Sequence, residues 1–212
     1  MRRTLMQIAR EGWPILVLVA LVTFAVGHFW HWLAALPLVV VVLVLLAFFH
    51  DPRRRIPSEP LAVIAPVDGR VVHRRECYDP FLDREAIRVS LDASLLGAYL
   101  LRAPVEGTVL ELPAAGEGVF DGTVSWLRTD EGDDIVIAAS GWMFGGRPCQ
   151  VRYGDRLGQG RICGARRLAG RVDIFLPAHS RVEVAVGDRV HAGSDKLATL
   201  VRKAPVDLPS MS

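Results

Sequence analysis

Ala65-Pro66-Val67-Asp68-Gly69-Arg70-Val71 is the stretch on which the reading of this chain turns. Pro66 presets a turn, Asp68-Gly69 completes it, and β-branched residues flank it on both sides. The phrase returns as Ala103-Pro104-Val105-Glu106-Gly107-Thr108-Val109, and Val186-Gly187-Asp188-Arg189-Val190-His191-Ala192-Gly193 has a similar cadence. Outward from these turns run short apolar stretches at 62–65, 70–73, 86–91, 107–112, 124–127, 135–139, 171–176, 181–184 and 196–201. Gly, Pro and Asp separate them about every ten residues, the mark of an all-β barrel or sandwich. The longest candidate for an amphipathic helix in this part is 95–101.

The N-terminal quarter obeys a different rule. Trp13–Phe29 and 33–49 are two apolar runs of 17 residues each, and residues 13–49 contain no Lys, Arg, Asp or Glu. Each run has the minimum length that spans a bilayer core. The run from Val39 to Leu46 lacks any polar face, which favours lipid over a protein core. Arg2, Arg3 and Arg10 precede the pair, Arg53, Arg54 and Arg55 follow it, and the turn carries Trp30, His31 and Trp32. The excess of arginine at both ends predicts a transmembrane hairpin with both ends in the cytoplasm. A cleaved signal peptide is disfavoured, because the second run follows at once without a small-residue cleavage site. The sequence thus divides into an anchor (1–50), a β domain (51–203) and a flexible tail (204–212).

Composition narrows the function classes. The chain has 212 residues, 51% of them hydrophobic, and a formal net charge of only +2. That balance gives no case for nucleic acid. Cys77, Cys149 and Cys163 are scattered without metal or redox spacing and are read as reduced structural residues, which suits a cytoplasmic domain. The six histidines have no HxH or HExxH spacing, so no metal site is expected.

The turn phrases resemble the hairpins of lipoyl and biotinyl carrier barrels. Lys196 is not at a hairpin tip, however, so a carrier role is poorly supported. A second resemblance covers nearly the whole chain in order. Residues 48–57 (FFHDPRRRIP) resemble the "FFRDPxRxIP" of short bacterial phosphatidylserine decarboxylases, residues 65–69 their "SPADG", and residues 102–107 their "NRAPxxG". Residues 160–177 (GRICGARRLAGRVDIFLP) align without gaps on "GERFGLIRFGSRVDVFLP", and Ala192-Gly193 with Leu197-Ala198 fits "AGETVLA". The part from 111 to 159 matches weakly, and the "ENER" phrase is missing.

This resemblance implies a proenzyme that cuts itself before a serine and turns that serine into an N-terminal pyruvoyl group. The ketone forms a Schiff base with phosphatidylserine and draws electrons as carbon dioxide leaves. An Asp and a His assist the processing serine. The aligned positions here are Asp68, Tyr99 and Gly170. Glycine offers neither hydroxyl nor β-carbon, and tyrosine, titrating near pH 10, is a poor base at neutrality. No serine lies between Ser140 and Ser180 to rescue the alignment. The sequence therefore predicts a pseudoenzyme without a pyruvoyl cofactor. It would bind anionic or amino phospholipid at the bacterial inner membrane from the cytoplasmic side, or pair with an active homologue. Self-association as a homodimer is implied only by the resemblance. An active decarboxylase making phosphatidylethanolamine and a membrane-tethered interaction module are the alternatives.

Individual residues keep two readings each. Asp68 is an inherited catalytic residue or a turn aspartate, the latter preferred. Tyr99 contacts a ligand or forms a half-buried wall. Arg102 holds a phosphate or makes a surface salt bridge. Arg166, Arg167 and Arg171, with Arg161, face lipid head groups or water. Arg53–Arg55 are read as determinants of topology.

Overall fold

A computed structural model describes residues 7–8, 12–29, 32–51, 54–57, 59, 61–94, 97, 100–113, 123–141, 151–165 and 169–201. The chain begins with β1 (Gln7–Ile8), α1 (Trp13–Phe29), α2 (Trp32–Phe48) and β2 (His50–Asp51). Then come β3 (Ala62–Ile64), β4 (Gly69–Asp79), β5 (Arg84–Ala93), β6 (Leu100–Arg102), β7 (Gly107–Leu110), β8 (Thr123–Arg128) and β9 (Asp134–Gly141). The last strands are β10 (Arg156–Leu157), β11 (Ile162–Ala165), β12 (Ala169–Pro177), β13 (Arg181–Val182), β14 (Arg189–Val190) and β15 (Lys196–Thr199).

The mainly β expectation holds, and the strands fall into several sheets. One sheet of eight strands runs β10-β7-β8-β9-β12-β5-β4-β14, and smaller sheets pair β11 with β6 and order β13-β15-β3. Alternate residues of the large sheet, among them Val71, Leu91, Leu127, Ile137, Val172 and Ile174, meet Val63, Leu101, Val182 and Leu197 of the small sheets in the main core. A second apolar cluster, with Phe81, Val136, Ala138 and Phe175, lies apart from the first and draws on other residues of β9 and β12.

The repeated phrases pair off in a way their similarity did not reveal. The third phrase, 186–193, is a partner of the first and has its own counterpart in Tyr153-Gly154-Asp155-Arg156-Leu157-Gly158-Gln159-Gly160. The N–H of Val71 donates to Asp188 O (2.9 Å) and that of Gly187 to Val71 O (2.8 Å). In the other half Val109 donates to Asp155 O (3.0 Å) and Gly154 to Val109 O (2.8 Å). The halves also exchange bonds, Ile64 N–H to Pro104 O and Arg102 N–H to Pro66 O, both 2.9 Å. The domain core is thus two copies of one turn-and-strand unit in an approximately twofold arrangement.

Glycine is required where each unit enters the large sheet. A Cβ on Gly69 would lie 2.2 Å from Asp92 O, and one on Gly107 2.3 Å from Arg128 O. Gly69→Ala is expected to cost about 1–3 kcal/mol by overpacking, read as a lower urea midpoint.

Three expectations need correction. Residues 100 and 101, placed in the candidate helix 95–101, are strand: backbone pairing of β6 with Ile162–Ala165 outweighs local helical spacing. Cys163 is disulfide-bonded rather than reduced, with its partner outside the described residues, whereas Cys77 is free. Burial pushes the Cys77 thiol up. The two apolar helices form as expected, each of 17 residues. Among the described residues, however, no helix is long and apolar enough to cross a membrane. Seventeen residues rise about 25 Å, short of the roughly 30 Å hydrocarbon core. The helices nonetheless expose Leu18 (63%), Phe24 (71%) and Trp32 (66%). Antiparallel pairing of β1 with β2 brings the two ends of the hairpin together. The tail 204–212 lies outside the described residues.

Candidate functional site

The turn Pro66–Gly69 projects Asp68 inward, where it is 7% exposed. Its carboxylate accepts two hydrogen bonds from Arg54, Nη1 to Oδ1 at 2.6 Å and Nη2 to Oδ2 at 2.7 Å. The N–H of Ala192 adds a third at 2.7 Å. This fork-to-fork pairing is the strong geometry for arginine and carboxylate. Asp68 is therefore more than a turn residue. Gly97 passes so close that an added Cβ would sit 2.4 Å from Asp68 Cβ. Sequence reasoning missed Arg54, which it assigned to topology. The only available signal was its place in the stretch resembling "DPxRxIP".

Arg102 is close by and buried, at 8% exposure. Its Nη1 donates to Gly160 O at 3.2 Å, and its Cδ fills the space beside Gly193. Arg102 is therefore not a surface residue: the side chain lies inside the junction of the two repeated units. Asp68, Arg102 and the 192–193 turn are thus brought together.

Gly170 and Arg171 lie near the start of β12. Arg171 pairs in register with Asp92 of β5, and Asp92 with Arg70 of β4. Gly170 falls at a register irregularity against β9, between Ala169 opposite Gly141 and Arg171 opposite Ser140. Two strand spacings, about 10 Å, separate this end of β12 from the start of β4 after Asp68. Tyr99, Arg166 and Arg167 lie outside the described residues.

The pyruvoyl group implied by the resemblance does not fit the residue present. An added Cβ at Gly170 would meet nothing within 4 Å, so room for a side chain exists and the atoms do not. Gly170→Ala is accordingly expected to leave stability unchanged or raise it by up to about 1 kcal/mol, measured by thermal unfolding.

The carrier reading also finds no support in Lys196. Its ammonium donates to Glu59 (3.0 Å) and lies 3.1 Å from Glu183. Those partners, Glu59 first, raise its pKa and hold it protonated. Among the described residues no group of three His, Cys, Asp or Glu is placed to hold a metal ion.

Comparison with known proteins adds an independent line. No family model matches the chain. The phosphatidylserine decarboxylase proenzyme of Nitrosomonas eutropha is 36% identical over 204 residues, covering 90% of this chain and 94% of the relative. That of Cupriavidus pinatubonensis is 35% identical over 209 residues, covering 91% and 95%. That of Burkholderia multivorans is 33% identical over 208 residues, covering 91% and 96%. Similarity at this level over nearly the full length of each relative, together with the ordered motifs, means that the chain belongs to the phosphatidylserine decarboxylase family.

Proposed function

We propose that this protein is a membrane-associated member of the family that neither cuts itself nor decarboxylates phosphatidylserine, and that binds phospholipid without converting it. The observation that carries the reading is Gly170. It lies within the continuous strand β12, has no side chain from which a ketone cap can be built, and borders open space. The capture of Asp68 by Arg54 supports the same reading, since that carboxylate is engaged in a structural ion pair.

Anchoring follows from the apolar hairpin. Its exposed Leu, Val, Phe and Trp side chains form a large apolar surface of the kind that marks membrane contact. Each helix is short of the bilayer core, so the hairpin spans only with local thinning of the bilayer, or inserts part way. With its arginines at the base, the hairpin holds the β domain on the cytoplasmic face of the bacterial inner membrane.

Flotation of the full chain with vesicles containing phosphatidylserine or phosphatidylethanolamine tests the lipid reading. Binding to either above a phosphatidylcholine background is expected. Binding to neither leaves a membrane-tethered interaction module or a partner of an active homologue. Release of carbon dioxide from phosphatidylserine would establish the active alternative.

A further inference from the structure

We propose that Arg70, Arg171 and Arg189 form a phosphate-reading row that seats one end of the large sheet on anionic lipid head groups. The inference rests on the membrane reading above and names the lipid chemistry involved. Arg189 pairs in register with Arg70, Arg70 with Asp92, and Asp92 with Arg171. Residues directly opposite one another on neighbouring strands share a face, so these four side chains form one line across β14, β4, β5 and β12. All four are exposed. None of the three arginines makes an ion pair or a side-chain hydrogen bond among the described residues. Asp92 offsets only one of the three charges.

The approximate twofold shows that the fold does not impose this arrangement. The counterpart of Arg189 in the other unit is Arg156, opposite Thr108 rather than a second arginine. Arg156 is neutralised by Glu106, at 3.0 Å, and by Asp130. One unit therefore quenches its arginine, while the other lines up three that have no such partner among the described residues. Like charges set directly opposite, as Arg70 and Arg189 are, work against folding. An external anion relieves that repulsion.

Location selects the anion. The Arg54–Asp68 pair ties the segment after the hairpin to the start of β4, two residues before Arg70. Phe49, at the foot of α2, packs on Leu100, just ahead of the Arg102 N–H that bonds Pro66 O. Both contacts set the arginine row at the foot of the apolar hairpin, where head-group phosphates lie if the hairpin enters a bilayer. Arginine matches phosphate by paired donors, and each basic residue near an anionic leaflet contributes about fivefold in binding.

The test places the full chain in nanodiscs of phosphatidylcholine, alone or with phosphatidylglycerol, and follows amide hydrogen exchange of peptides covering 69–75 and 187–192. Exchange is expected to slow about fivefold or more with phosphatidylglycerol. The effect should vanish near 1 M salt, where the screening length falls to about 3 Å. It should also vanish in the triple variant R70T/R171T/R189T, which copies the Thr108 of the other unit. That variant should unfold at the same or a higher temperature, since it removes like-charge repulsion, a result that a purely structural role for the arginines would reverse. Equal exchange in both disc types, or an undiminished effect in the triple variant, overturns the proposal. Protection by soluble polyglutamate but not by anionic discs also overturns it, in favour of an acidic protein partner. Failure to enter neutral discs counts against the hairpin reading alone, because anionic discs still report on the row.

Discussion

The 212-residue chain is expected to give a single mass of 23.3 kDa and to release no carbon dioxide from phosphatidylserine. Processing at the aligned site would instead produce a C-terminal piece beginning at residue 170, whose new terminus would be an ordinary glycine. The neighbouring strand carries a hydroxyl, Ser140, in register with Arg171. A hydroxyl on another strand does not alter the covalent outcome: the ketone must come from the side chain of the residue that becomes the terminus. Activity is therefore expected to be absent, not reduced by a factor that better positioning would restore. Intact-mass measurement combined with a carbonyl-specific reagent reads both points at once. Two fragments with a reagent-positive terminus would remove the basis for the silent-member reading.

Arg54→Ala is expected to destabilise the domain by about 3 kcal/mol, the low end for breaking one side of a buried ion pair. The side chains of Arg54 and Asp68 are 16% and 10% exposed, so water reaches the pair slightly and moderates the penalty. Removing the cation leaves a buried carboxylate with the loss of two charge-assisted bonds, and the 2.7 Å bond from Ala192 N–H does not replace them. A second consequence is mechanical. Without Arg54 the segment that leads from the hairpin loses its side-chain tie to Asp68, and proteolysis between residues 54 and 61 should accelerate. Adding Asp68→Asn should recover part of the loss, because the uncompensated charge disappears while an oxygen remains for Ala192. The double-mutant cycle of these substitutions in urea measures the coupling. A coupling near zero would mean that the pair is solvated and carries no stability.

Much of the fold was legible along the chain. All nine candidate strands became strands, because β-branched runs bounded by Gly, Pro and Asp mark strands, whether one face is covered or, as in β3, every residue is buried. The elements that were missed share a cause. Strands β6, β10, β11 and β14 have two to four residues each and owe their pairing to partners far along the chain. Such short segments carry too few residues for a period to show. The same limit applies to the repeats. The likeness of 65–71 and 103–109 was visible as text, but the complementary phrases at 153–160 and 186–193 acquire meaning only as the strands that bond to them. The disulfide of Cys163 was likewise invisible, since spacing in sequence does not measure separation in space.

The candidate site divides along the same line. The sequence by itself determined the β class, the apolar hairpin and the glycine at residue 170, because each is a matter of composition, local period or covalent structure. Only the tertiary structure decided that Arg54 closes on Asp68, that Arg102 is buried between the repeated units, and that three arginines from three strands share one line. Those facts depend on contacts between residues 14 or more apart in the chain, whose partners are chosen by strand register and burial.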